Sequence, residues 1–165
     1  MILYHGSTVK VEKPLYNRCR QNTDFGKGFY TTLNREQAMK WAILKQQRAG
    51  SGKAVVTVFE VDDDLLERNH EFSILKFSVA DKQWLEFVCN NRKEGVEPEL
   101  YDIISGPVAN DNLYATIELY EMGILSADAA IEQLKTNRLS GQISFNSQKA
   151  MNCLRFLSVE VIGSM

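Results

Sequence analysis

The sequence predicts an α+β fold built on a split, mixed or largely antiparallel sheet with flanking helices. Two observations carry this. Short β-branched and aromatic runs alternate irregularly with amphipathic helical segments, and strands return without regular βαβ alternation. The 165 residues, 44% apolar and 24% charged, suit one globular domain spanning 1–165. A chain of this size buries a core without staples.

The elements follow in order. "MILYH" is a short apolar run suited to a buried strand. Ser7 to Thr23 is polar, holds Pro14, Arg18 and Arg20, and reads as a long loop of the kind that often carries function. "GFYTTL" reads as a strand from its aromatic and β-branched content. "NREQAMKWAILKQQRAG" reads as a helix, with Asn34 as its cap and Gln37 three residues on. Ala38, Trp41, Ala42 and Lys45 share one side of it, Ala and Trp toward the core, and Gly50 to Gly52 ends it.

"KAVVTVFEVD" is apolar enough for a central strand, and "EFSILKFSV" alternates in the same way. "VDDDLLE" reads as a solvated turn, since it lacks the glycine and terminal glutamate of a calcium loop. "ADKQWLEFVCNNRKEG" is a helix with Trp84, Phe87 and Val88 at core spacing. "YDIISGPVA" is a strand broken or bent by Gly106-Pro107. Two helices follow: "NDNLYATIELYEMG", with Leu113, Ile117 and Tyr120 on one face, and "SADAAIEQLKTNRLSG", capped by Ser126. "QISFN" is a strand, "SQKAMNCLRF" a short helix and "LSVEVIG" a last strand.

Composition narrows the chemistry. Net charge is −2 without a basic block, so a broad electrostatic footprint for nucleic acid is absent. Cys19, Cys89 and Cys153 are scattered, and His5 and His70 are the only histidines, which argues against a disulfide framework and a metal site. Cys89 and Cys153 read as small core residues on helices. No apolar run approaches membrane-spanning length and the N-terminus does not read as a signal peptide, so the expected location is cytoplasmic.

The stretch "DFGKGFYTT" invites a phosphate-loop reading and fails it. Its Gly26-Lys27-Gly28 lacks the Walker spacing, precedes a strand rather than a helix, and has no third glycine. By itself it is a bend into a strand, with glycines that let backbone approach a flat ligand. His5 and Tyr30, each taken alone, read as structural.

Taken together, "LYHGS", "FGKGFYTT" followed by an Ala/Trp-rich helix, and the late "QISFNSQKAMNCLRFLSVEV" resemble the ADP-ribosyltransferase fold. The branch is the His-Tyr-Glu one of diphtheria-type toxins and poly(ADP-ribose) polymerases. His5-Gly6, Gly26-Lys27-Gly28-Phe29-Tyr30 and Gln142 match its motifs in order, with Gln in place of the usual Glu. The chain also resembles an uncharacterised bacterial family of small proteins encoded beside a short helical protein, as in toxin–antitoxin pairs.

The resemblance implies an NAD-dependent mono-ADP-ribosyltransferase, with chain elongation ranked last because it leans most on the missing carboxylate. It implies His5, Tyr30 and Gln142 as the catalytic set and His5, Gly6, Ser7, Gly26, Gly28, Phe29, Tyr30 and Trp41 around NAD, the co-substrate. His5 would bind the adenine-ribose hydroxyls and the Gly6 backbone the nicotinamide carboxamide. Tyr30 would stack on the nicotinamide ring, and Trp41 either closes its other face or packs in the core. Arg18 and Arg20 would meet the pyrophosphate or the acceptor, or else face solvent. Implied partners are a macromolecular acceptor and a small helical antitoxin, with no membrane.

Gln142 leaves three readings open. The acceptor is itself nucleophilic, another acid such as Glu160 enters the site, or the domain binds NAD or another nucleotide without turnover. An RNA 2′-phosphotransferase is a further alternative, for which the sequence offers only His5 among the needed basic groups.

Overall fold

The computed structural model describes residues 1–93, 100–109, 112–135 and 141–163. It is an α+β fold with two sheets. Strand β1 (Ile2–Ser7), β3 (Ala54–Glu60) and β7 (Arg155–Ile162) form one antiparallel sheet in the order β1-β3-β7. The second sheet runs β2-β6-β5-β4, from β2 (Phe29–Thr31), β6 (Gly141–Phe145), β5 (Ile103–Pro107) and β4 (Ile74–Lys76). Its β4–β5 pairing is parallel and the others antiparallel. Reciprocal backbone hydrogen bonds between Tyr4 and Thr32, 2.9 and 3.0 Å, join the two sheets at a single bridge.

Strand alternation divides the core. Leu3 and Phe59 of the first sheet meet Phe29, Ile103, Ile143 and Phe145 of the second in one apolar cluster between them. On the outer side of the first sheet lies helix α1 (Arg35–Ala49), where Ala38 and Ala42 pack on Ala54 and Val56. On the outer side of the second lie α2 (Lys82–Arg92), α3 (Leu113–Glu121) and α4 (Ala127–Leu134). Their Trp84, Val88, Leu113, Ile117 and Leu134 cluster with Ile104 and with Phe25. A short helix α5 (Gln148–Met151) links β6 to β7.

Local signals act as the sequence predicts. The Asn34 side chain accepts from the Gln37 N–H at 3.1 Å, and Gly50 closes α1 at φ 69°, in the left-handed region where glycine costs least. Ser126 caps α4, and β3 is central and buried from Ala54 to Phe59. The helix ends expected over 94–95, 110–111 and 136–140 lie outside the described residues.

Three details differ. Trp41 is half-buried and belongs to none of the apolar clusters. The contact face of α1 is centred instead on Ala38 and Ala42, where the helix backbone comes close to Gly6 of β1, with Met39 and Ile43 beside them. Cys153 is half-buried just beyond α5 rather than a core residue on a helix, whereas Cys89 is buried on α2. Gly106 and Pro107 do not break β5 but form its last two residues, paired with Gln142 and Gly141 at the sheet's rim.

Candidate functional site

Topology places the three motif-bearing strands side by side. Strand β1 carries His5 and Gly6, the Tyr4–Thr32 bridge ties it to β2 with Tyr30, and β2 pairs with β6 and its Gln142.

His5 is 8% exposed and its ring stacks on Phe29 at a centroid distance of 4.0 Å. Its Nδ1 lies 2.7 Å from the Tyr30 carbonyl. A carbonyl only accepts, so Nδ1 carries the proton and Nε2 is an acceptor. Nε2 has no hydrogen-bond partner among the described residues and is not among their fully enclosed polar atoms. Burial, then the nearby Lys45 charge, push the His5 pKa down to about 3, against the Tyr30 carbonyl, which raises it. The ring is therefore neutral at physiological pH.

Gly6 has a packing role. A Cβ there would stand 2.1 Å from the Ala38 carbonyl oxygen and 2.8 Å from the Ala42 nitrogen. Its own carbonyl accepts from Lys45 Nζ at 2.7 Å. Burial, then the charge of Arg20, lower the Lys45 pKa to about 8. Ser7, half-buried, ends β1, and its Oγ accepts weakly from the Val9 N–H at 3.5 Å.

Tyr30 follows Phe29 on a strand, so the two side chains leave opposite faces. Phe29, with His5, faces the core between the sheets, and Tyr30 faces the helical side. The phenol oxygen lies 2.6 Å from the Gly26 carbonyl and 3.0 Å from Thr23 Oγ1, and accepts from the Phe25 N–H at 2.8 Å. It thus pins the loop that precedes its own strand. His5 and Tyr30 meet through backbone, not as rings lining one cavity.

The same loop is strapped from β6. Gln142, Ser144 and Asn146 alternate with core residues and form a buried polar row facing Tyr30's side. Asn146 Nδ2 donates to the carbonyls of Phe25, 2.9 Å, and Lys27, 3.1 Å, while its Oδ1 accepts from Ser144 Oγ at 2.6 Å. Gly26 sits at φ 81°, and Gly28 approaches β6 so closely that a Cβ would meet Asn146 Nδ2 and the Phe145 carbonyl at 2.8 Å. The glycines of "DFGKGFYTT" serve this turn and this approach.

Sequence reasoning missed Asp24. Gln142 is 4% exposed, and its Nε2 lies 3.3 Å from Asp24 Oδ2 and 3.4 Å from the Pro107 carbonyl. Asp24 Oδ1 in turn accepts from Arg92 Nη2 at 2.5 Å, with both side chains largely buried. Glu160 is elsewhere, paired with Arg35 of α1. Arg18 and Arg20 are exposed on the long loop. An open depression at Leu33, Asn34, Arg35 and Glu36 holds none of these groups. Among the described residues no cluster of His, Cys, Asp and Glu could hold a metal, and no helix is long and apolar enough to cross a membrane.

These features define a class: an α+β domain whose two sheets meet at a neutral, hydrogen-bonded histidine, beside a glutamine–aspartate–arginine cluster. The chain belongs to the family described as protein of unknown function (DUF3990), which matches residues 1–156. No curated protein matches it, and no solved structure does.

Proposed function

We propose that the protein is an NAD-dependent mono-ADP-ribosyltransferase, the toxin component of a bacterial toxin–antitoxin pair. The observation that carries this reading is the adjacency of β1, β2 and β6, which brings His5, Tyr30 and Gln142 onto neighbouring strands although most of the chain separates them. Two acceptors suit sugar hydroxyls, one on the side of the core between the sheets and one on the helical side. His5 Nε2 and Gln142 Oε1 are acceptors without partners among the described residues, and sugar hydroxyls are donors.

In the reaction the bond from ribose C1′ to the nicotinamide nitrogen breaks, and its electron pair leaves with nicotinamide, which becomes neutral. An acceptor lone pair forms the new bond to C1′, and the acceptor's proton passes to solvent or a base. Positive charge builds on the ribose ring, so a nearby negative group lowers the barrier.

A catalytically silent NAD-binding or nucleotide-binding module is the second reading. It is favoured by the Tyr30 phenol, already engaged by the loop, and by the Gly6 carbonyl, already accepting from Lys45.

Labelled NAD incubated with the protein and cell extract separates the two. Nicotinamide release with label on an acceptor is expected, falling ~10²–10³-fold in His5→Ala and Gln142→Ala. NAD binding without release would establish the silent module instead. Neither binding nor release would remove both.

A further inference from the structure

We propose that Asp24 is the carboxylate of this site: held by Arg92, it fixes the Gln142 amide and supplies the negative charge that Gln142 lacks. The inference rests on the NAD-cleavage reading above.

Chemistry forces the orientation of Gln142. Both atoms beside its Nε2, Asp24 Oδ2 at 3.3 Å and the Pro107 carbonyl at 3.4 Å, are acceptors. The amide nitrogen must therefore occupy that position, and Oε1 points away from the pair. Oε1 has no partner among the described residues and is not among their fully enclosed polar atoms. It is left to accept from a ligand hydroxyl.

Asp24 is held as firmly as its neighbour. Arg92 Nη2 donates to its second oxygen at 2.5 Å, and Asn91 Nδ2 donates to its backbone carbonyl at 3.2 Å. Arg92 is itself fixed, with its guanidinium 4.4 Å over the Tyr114 ring. A carboxylate standing behind an amide polarises it, so Oε1 carries more negative charge than an isolated glutamine would. The acidic function thus sits on the loop and the hydrogen-bonding function on the strand. Asp24 acts through Gln142 and is a positioning residue.

The arrangement predicts that Gln142→Glu alone is not a gain. It sets two carboxylates against each other at the distance of a hydrogen bond, where one resists ionisation. Moving the carboxylate by the paired change Asp24→Asn with Gln142→Glu restores a complementary pair.

The test uses the full chain. Nicotinamide release and NAD affinity are measured for the wild type, Asp24→Asn, Asp24→Glu, Gln142→Glu and the Asp24→Asn/Gln142→Glu double variant. Asp24→Asn is expected to lower the release rate ~10²-fold while NAD affinity stays within about threefold. Asp24→Glu should regain part of that rate, and the double variant should exceed either of its single variants. In parallel, the Gln142 side-chain amide resonances are compared between the wild type and Asp24→Asn. They should differ, because the carboxylate that accepts from the Gln142 amide is gone.

Release at the wild-type rate in Asp24→Asn would overturn the role of Asp24 and leave the enzyme reading intact. A wild type that releases no nicotinamide would overturn both. Gln142 amide resonances unchanged in Asp24→Asn would overturn the Gln142–Asp24 pairing whatever the activity.

Discussion

Gly6 and Gly28 both stand where another segment comes too close for a side chain, but what comes close differs. At Gly6 it is the backbone of α1, resting on a small apolar patch of Ala38, Ala42, Ala54 and Val56. At Gly28 it is a buried polar row on β6, whose Asn146 holds the loop by its carbonyls. The His5 half of the molecule is therefore set by shape, and the Gln142 half by matched donors and acceptors. Shape fails when volume is added; a polar network fails when one partner is removed.

The largest effect should come from Gly6→Ala. The added methyl would sit 2.1 Å from the Ala38 carbonyl, a backbone atom of a regular helix that has little room to yield. Overpacking of this kind costs about 3 kcal/mol or more when backbone must move. Urea unfolding should show that loss, together with a disturbed His5–Tyr30 hydrogen bond. A loss under about 1 kcal/mol would mean that α1 slides freely and that shape does not set this half.

Asn146→Ala should come next. It leaves the Phe25 and Lys27 carbonyls without their donor and Ser144 Oγ without its acceptor. A single unsatisfied buried group costs about 1–3 kcal/mol, and water entering the vacated space offsets part of it, so about 2 kcal/mol is expected. Amide exchange should rise over Thr23 to Gly28 and not over α1. Equal acceleration in both halves would erase the distinction between them.

The sequence displayed one half better than the other. The helical period, the Asn34 cap, the Gly50 stop and the apolar run of β3 announce the α1 side, because each signal is local. Trp41 was misplaced because the period was right but the closeness of α1 to Gly6 is a property of two elements together. Gln142, Ser144 and Asn146 recur every second residue, which from sequence alone is the mark of a solvated strand face. Burial of that face comes from the loop folded over it. Asp24 escaped notice for the same reason: its partners Arg92 and Gln142 stand 68 and 118 residues away. The adjacency of the strands that carry His5, Tyr30 and Gln142 is a long-range pairing that periodicity does not encode.

Lys45 sharpens the comparison from the His5 side, with the smallest effect. Between the ordinary histidine pKa of 6.5 and the folded value of about 3, the unfolded chain binds a proton that the folded chain refuses. Stability contributed by His5 is thus present above about 6.5 and lost as pH falls toward 3, by at most about 1.4 kcal/mol per pH unit. Burial is the larger cause and Lys45 the second. Lys45→Met removes the charge and keeps most of the apolar volume, so the His5 pKa should rise from about 3 but remain below 6.5. Its own penalty disappears as well. Lys45, lowered to about 8 from 10.5, disfavours the folded state when charged, so stability in the wild type should rise between those two pH values and stay level in the variant. Ring-proton resonances of His5, read beside those of the exposed His70 in the same sample, measure the first effect, and urea midpoints across pH measure the second. If His5 in the wild type titrated near 6.5, its ring would be open to water, and the apolar enclosure that distinguishes this half from the polar row on β6 would be lost.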